Sequence, residues 1–354
     1  MQPSAENQPI GIVLGQLGTP EAPTARALRP YLRQFLSDMR VIDYSPFIWQ
    51  PLLRGIILRV RPRKSAKLYE RIWTDEGSPL LVYTQRQAEE LQKRLGDGFK
   101  VIVGMTYGEP SLKGAIRHLQ AEGVDRIIVV PMYPQYSSTT TASVYDAAYT
   151  GAAGRRCPLF NERKRAIPTL RFVPAYYDNE GYINAMANRV QATIDSWGRR
   201  PDRVLFSFHG IPKRYAETGD PYPQQCKITA ELLAKRLNLE PDQWLMTYQS
   251  QFGPEKWLGP ATDEMIEKSA HEGIQNLLIF SPGFVADCLE TIDELGNEGL
   301  EQWEEAGGDP QGFRLAPCLN DASDWIDSLA AIVKAESSGW VRSYANPISE
   351  PVGD

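Results

Sequence analysis

Arg203-Val-Leu-Phe-Ser-Phe-His209-Gly210-Ile-Pro212-Lys213 is the stretch from which the chain can be read. Val204 to Phe208 is an apolar, β-prone run of strand length, and Gly210 and Pro212 end it with turn chemistry. His209 therefore stands at the carboxyl end of a buried strand, the edge where open α/β sheets bind ligands. The pattern occurs a second time, as Ile12-Val-Leu-Gly-Gln-Leu17-Gly18-Thr-Pro20, with Gly and Pro in the same places. A pattern met twice in one chain points to internal duplication.

The repeat extends outward from these two strands. Leu91-Gln-Lys-Arg-Leu95 parallels Leu233-Ala-Lys-Arg-Leu237, and each precedes a strand ending in Met-Thr-Tyr, at Met105 to Tyr107 and Met246 to Tyr248. Gly123 opens the strand Val124 to Pro131, and Gly273 opens Ile274 to Pro282. Leu170-Arg-Phe-Val-Pro174 matches Phe313-Arg-Leu-Ala-Pro317. Near-continuous apolar strands alternating with helices predict parallel sheets covered on both faces. The expected architecture is α/β, with two Rossmann-like domains related by duplication, each a four-stranded parallel sheet flanked by helices. The first runs over 1–174 and the second over 175–319. The remainder, 320–354, is expected to form a C-terminal helix and tail packing back on the first domain. Equivalent strand ends would face a shared cleft suited to a small molecule.

The first half carries a long segment, about residues 20–90, that the second lacks. Within it Phe47 to Lys64 mixes bulky apolar residues with Arg54, Arg59, Arg61, Arg63 and Lys64. One reading is a buried amphipathic helix with a solvated basic face. The other is a lip over an apolar ligand that also touches an anionic membrane surface, with its cations available to ligand carboxylates.

At 354 residues the chain exceeds one ordinary core, and its net charge of -6 argues against a general nucleic-acid binder. Its four cysteines, Cys157, Cys226, Cys288 and Cys318, form no C-x-x-C pair, as expected for reduced cytosolic thiols. The amino terminus has neither basic residues nor an apolar core, and no apolar run reaches the ~20 residues of a spanning helix. A cytoplasmic protein, peripheral at the membrane, is the expectation.

Of three histidines, His118 and His271 end helical patterns, where a solvated or capping role is expected, which leaves His209. The second candidate is Ser281-Pro-Gly-Phe-Val-Ala-Asp287-Cys288-Leu-Glu290-Thr-Ile-Asp293-Glu294-Leu-Gly-Asn-Glu298, which follows a strand directly. On a helix Glu290, Glu294 and Glu298 form one acidic stripe. One imidazole with nearby carboxylates suits proton abstraction and the passing of a divalent metal, rather than a tightly held zinc. There is no Gly-x-Ser-x-Gly elbow, no Walker Gly-Lys-Ser/Thr and no Gly-x-Gly-x-x-Gly spacing.

Together these motifs resemble the ferrochelatase family along nearly the whole chain. The match is carried by Leu17-Gly-Thr-Pro20, Phe35-Leu-Ser-Asp38 with Arg40-Val-Ile-Asp43, Gly77-Ser-Pro79 and Pro134-Gln-Tyr-Ser137. It continues through Ser207 to Pro212, Gly219-Asp-Pro-Tyr-Pro223, Gln249-Ser250, Trp257-Leu-Gly-Pro260 and Pro282-Gly-Phe with Asp287-Cys-Leu-Glu-Thr291. The resemblance implies insertion of ferrous iron into protoporphyrin IX with release of two protons. It assigns His209 as metal ligand or pyrrole proton acceptor, Glu290 opposite it, and Glu294 and Glu298 to metal or proton passage. Leu17, Tyr107, Tyr136, Ser137, Tyr248 and Trp257 are the expected porphyrin contacts. Iron is a substrate and no cofactor is expected to be resident. The tail from Ser337 has no cysteine, so no iron–sulphur cluster is expected. The chain departs from common family residues at Thr106, where arginine is frequent, at Gln16 for asparagine, and at Cys288, where some members carry histidine. The alternatives are a coproporphyrin or other metal chelatase, or a non-catalytic tetrapyrrole-binding protein. A monomer or weak dimer is the expected state.

Overall fold

The computed structural model describes residues 8–154, 163–253 and 255–340. The sequence readings for the amino terminus up to residue 7, for Cys157 and for the tail from 341 lie outside the described residues. Two four-stranded, all-parallel sheets organise the chain. The first consists of β1 (Ile10–Gly18), β2 (Phe99–Tyr107), β3 (Arg126–Pro131) and β4 (Thr169–Phe172), in the order β2-β1-β3-β4. The second consists of β5 (Arg203–His209), β6 (Trp244–Gln249), β7 (Leu277–Phe280) and β8 (Phe313–Leu315), in the order β6-β5-β7-β8. The identical order is what duplication predicts.

Between β1 and β2 lie α1 (Ala25–Leu36), α2 (Pro46–Leu52), a π-helical turn at Leu53–Ile57, α3 (Leu58–Ile72) and α4 (Pro79–Leu95). The crossovers α5 (Leu112–Ala121) and α6 (Thr141–Ala153) follow, and α7 (Glu180–Trp197) leads into the second sheet. That sheet is flanked by α8 (Lys213–Glu217), α9 (Tyr222–Arg236), α10 (Thr262–His271) and α11 (Gly299–Glu305), and α12 (Ser323–Glu336) is the last element among the described residues. His118 and His271 sit in the last turns of α5 and α10, as the sequence indicates.

Side chains alternate along each strand, and the alternation divides the core. Val13, Ile127 and Val129 meet Ile116 and Ala148 of α5 and α6, whereas Ile12, Leu14, Ile128 and Val130 face the other way. That second group joins one continuous core with Val204, Phe206, Phe208, Leu278 and Phe280 of the second sheet. Leu91 of α4, Val190 of α7 and Leu233 of α9 fill the space between, and Trp325 of α12 packs 6.0 Å from Tyr176. The remaining face of the second sheet, bearing Leu205, Leu277 and Ile279, packs on Ile266, Leu295 and Trp303.

The recurring glycine of the duplicated motif has one physical cause in both halves. A Cβ on Gly18, whose φ is +113°, would lie 1.7 Å from the Tyr107 carbonyl oxygen, and one on Gly210 would lie 2.8 Å from that of Gln249. In each sheet the neighbouring strand's backbone passes too close for a side chain.

The structure corrects one alignment of the repeat. Tyr107 pairs with Gly18, but Tyr248 pairs with Phe208, two residues short of Gly210. Matching backbone bonds, Met105 N to Pro110 O (2.7 Å) and Tyr248 N to Pro260 O (2.9 Å), make Met105 the true counterpart of Tyr248. A two-residue shift keeps the same face, so the identical tripeptides conceal it. Tyr107 consequently reaches about 6.6 Å further out than Tyr248.

Candidate active site

Period two places Leu205, Ser207 and His209 on one face of β5, and Leu295 of the segment Glu290–Glu298 packs on that face. His209 is half-buried, with its Nδ1 2.6 Å from the Gly210 carbonyl oxygen. A carbonyl only accepts, so Nδ1 carries a proton, and Nε2 is the nitrogen left to act as a base or ligand.

Beside it on β6 is its register partner, Gln249, which is 3% exposed. The Gln249 amide accepts from Ser207 Oγ (2.9 Å) and donates to the Glu290 carbonyl (2.8 Å), and its nitrogen lies 3.5 Å from Glu294 Oε2. Behind it, buried hydroxyls of Ser207, Thr262 and Thr247 complete a hydrogen-bonded chain at 2.8 and 2.9 Å. The next residue, Ser250 (φ +63°), donates from Oγ to Glu294 Oε2 at 2.6 Å. Burial pushes the Glu294 carboxyl above the usual carboxylate range and Glu290 adds to the rise, while Ser250 and the attraction of His209 hold it down. His209, Glu290 and Glu294 therefore belong to one electrostatic neighbourhood.

Glu290, Glu294 and Glu298 do not lie on an α-helix as the spacing predicts. Glu290–Glu298 is π-helical throughout, with i→i+5 bonding. A physical reason is visible at its start, where a side chain from another element, Gln249, engages the Glu290 carbonyl. Glu298 ends the segment, half-buried, and burial and Asp293 also push its carboxyl up.

Glu290 faces the first half. Its charge raises the hydroxyl pKa values of Tyr31, Tyr69 and Tyr133, in each case after the larger effect of burial, and its carboxylate hydrogen-bonds the buried Cys288 thiol. Tyr69 donates to the Tyr31 hydroxyl, which donates to the Gly18 carbonyl at 3.2 Å. Leu17 occupies in β1 the place His209 has in β5, and it touches both this tyrosine cluster and the Leu80–Cys288 patch. Tyr107 joins the cluster and donates to Asp38 Oδ2 at 2.6 Å. Thr106 instead bonds the Gln16 carbonyl at 3.0 Å.

The other expected contacts divide. Tyr136 borders a cavity of about 340 Å³ with Met39, Arg40, Asp43 and Tyr215. Ser137 is 1% exposed and donates to Asp220 at 3.0 Å, tying the two halves together. Trp257 packs tilted against the exposed Phe252, with ring centroids 4.8 Å apart, and borders Gly210. Tyr248 is not brought to the site. It is 2% exposed in the shared core beside Phe208, because it has the opposite parity to Gln249 and the shorter reach explained above.

Sequence reasoning singled out neither Gln249 nor Ser250 as site residues, and it missed Tyr31, Tyr69 and Asp38. The lip latch was also missed. Arg214 of α8 forms a two-pronged ion pair with Asp43 and a second pair with Glu255, while the Tyr215 hydroxyl donates to Val41 O and Asp43 Oδ1, both at 3.2 Å. These bonds to Arg214 hold the Asp43 carboxyl below its ordinary value, and burial beside Asp43 lifts the Tyr215 hydroxyl to about 12. On the same lip Phe47 is 92% and Ile48 73% exposed, so the buried-helix reading fails there.

Among the described residues no group of three His, Cys, Asp or Glu side chains is arranged to hold a metal ion, and no helix is long and apolar enough to cross a membrane. The sequence profile of the ferrochelatase family matches residues 9–337. The chain is 48% identical over 330 residues to the ferrochelatase of Vibrio cholerae, covering 92% of this chain and 98% of that one. It is 44% identical over 342 residues to the ferrochelatase of Brucella ovis, covering 96% and 94%. The solved structure of SirB from Bacillus subtilis with Fe3+ shares the fold, with a TM-score of 0.53 at 13% identity over 74% of this chain and 92% of that one.

Proposed function

The chain belongs to the ferrochelatase family, and from that premise we propose which side chains carry the chemistry. The enzyme is a lyase that inserts ferrous iron into a porphyrin, protoporphyrin IX, in haem biosynthesis. Two pyrrole protons must leave as iron arrives, so the site needs bases as well as metal-binding oxygens. His209 offers its Nε2 lone pair to the macrocycle, to a pyrrole proton or to the metal in passage. Glu290 works opposite it, towards the tyrosine-lined first half. Glu294, which burial makes more basic than an ordinary carboxylate, relays protons or metal to Glu298 nearer solvent. The observation that carries this reading is the buried Gln249 amide, which ties the His209 strand to the Glu290 carbonyl and reaches Glu294. Leu17, Tyr107 and Trp257 line the macrocycle's cleft; Tyr136 and Ser137 shape its rim. A planar macrocycle resists a metal, and binding energy along these surfaces supplies its distortion.

Iron passes through as substrate, and no resident cofactor is needed. The exposed Phe47, Ile48, Leu52, Ile56 and Val60, interleaved with Arg54, Arg59 and Arg63, support peripheral contact between a cytoplasmic enzyme and an anionic membrane. The test is anaerobic: ferrous iron is mixed in parallel with protoporphyrin IX and coproporphyrin, and the Soret band is followed. Protoporphyrin is expected to be metallated faster, His209→Ala to bind porphyrin without metallating it, and Glu290→Gln to lose most turnover. Near-normal turnover in His209→Ala, or a preference for coproporphyrin, contradicts the proposal.

A further inference from the structure

Arg71 is in the last turn of α3, in the first half of the chain, whereas Gln249 ends β6 in the second. Its Nε lies 2.9 Å from Asp293 Oδ1, and the Asp293 side chain is only 2% exposed. The same Oδ1 accepts from Asn297 Nδ2 at 2.8 Å. A second arm of the guanidinium lies 3.4 Å from Glu301 Oε1, and its charge also opposes the rise in the Glu298 carboxyl. One cation thus serves two carboxylates inside the π-helical segment, Asp293 and Glu298, and a third, Glu301, beyond it. A buried carboxylate without a cation is costly, so the segment's orientation is bound to this contact.

The position matters because of what each partner carries. Asp293 immediately precedes Glu294 and follows Glu290 by three residues. The lip helix α3 also contributes Tyr69 to the cluster facing Glu290, and Leu289 and Ile292 pack into that cluster. We propose that Arg71 is a positioning residue: by pinning Asp293 to the lip helix it fixes the rotation of the π-helical segment, and hence the aim of Glu290 and Glu294. Gln249 holds the segment from the strand side and Arg71 from the lip side. Two grips from separate elements leave the carboxylates a single presentation to the macrocycle.

The inference rests on the role assigned above to Glu290, so Glu290→Gln is measured in the same series. Arg71→Met, Arg71→Lys, Asp293→Asn and the pair Arg71→Met/Asp293→Asn are assayed for kcat, for porphyrin KM and for thermal midpoint. Arg71→Met is expected to lose about tenfold or more in kcat, the usual cost of removing a residue that orients a ligating group, with porphyrin KM unchanged. Arg71→Lys is expected to recover much of the loss. The pair is expected to recover more than Arg71→Met alone, because an asparagine needs no cation. Wild-type kcat in Arg71→Met overturns the proposal, as does a loss that neither Arg71→Lys nor the pair repairs. If Glu290→Gln turns over normally, it is the assignment of Glu290 that fails, whatever Arg71→Met does.

Discussion

Gln249→Met is the most informative perturbation of this site, because it keeps the volume and removes only the amide. The wild-type side chain makes two strong bonds, to the Glu290 carbonyl at 2.8 Å and from Ser207 at 2.9 Å, with Glu294 at the limit of range. Ser207 keeps Thr262 as a partner at 2.8 Å, so its loss is small. The Glu290 carbonyl loses its side-chain donor in a buried setting, which costs about 1–3 kcal/mol. A central value of about 2 kcal/mol lowers the melting temperature by about 3 °C in a chain of 354 residues. Activity should suffer more, since the amide aims two acidic groups, and a loss of about 10–100-fold in kcat is expected. Gln249→Glu is the sharper control. It returns an acceptor for Ser207 but sets a carboxylate against the Glu290 carbonyl and Glu294, so it should be worse than methionine in both measurements. Calorimetry and the anaerobic Soret assay read the two effects. A methionine variant with wild-type kcat, or a glutamate variant better than methionine, refutes the reasoning.

The buried Glu294 gives a pH signature. Its carboxyl titrates higher in the folded chain than the ordinary 4.5, so the native state is progressively disfavoured as pH rises through that interval. Glu294→Gln, whose carbonyl can still accept from Ser250, should melt higher than wild type at neutral pH, with the advantage vanishing below pH 4.5; an unchanged difference across that range, measured by thermal melts, would count against it. Arg214→Met opens the lip latch. Arg214 and Asp43 are both more than a third exposed, so stability should fall by only about 1 kcal/mol, while stopped-flow fluorescence should show faster porphyrin release; unaltered release rates would show that the latch does not restrain the lip. Phe47→Glu with Ile48→Glu should cut sedimentation with anionic vesicles by about tenfold or more, given the apolar area withdrawn, and leave porphyrin metallation in detergent unchanged. Equal vesicle binding would remove the lip from the membrane.

By itself the sequence determined both sheets, because the duplicated strands are short apolar runs closed by turn residues, and a repeat met twice is its own control. It also determined that His209 and the segment carrying Glu290 lie at sheet edges, since His209 ends β5 and that segment begins at Ser281, where β7 ends. Tertiary structure decided three things that adjacency in the chain does not encode. The register of β6 against β5, set by backbone bonding across strands, gave Gln249 rather than Tyr248 to the site; identical Met-Thr-Tyr tripeptides hid a shift of two residues. Residue parity alone would have nominated Gln249, had that register been known. Side chains from distant elements, Gln249 and Arg71, engage the π-helical Glu290–Glu298, contacts that a spacing of four residues, read as an ordinary helix, does not encode. The lip's closure depends on Arg214 meeting Asp43, 171 positions apart, a pairing fixed only when the two halves fold against one another. Local pattern fixes elements because their bonds are local; a site assembled across a cleft is fixed by contacts that exist only once the chain has closed on itself.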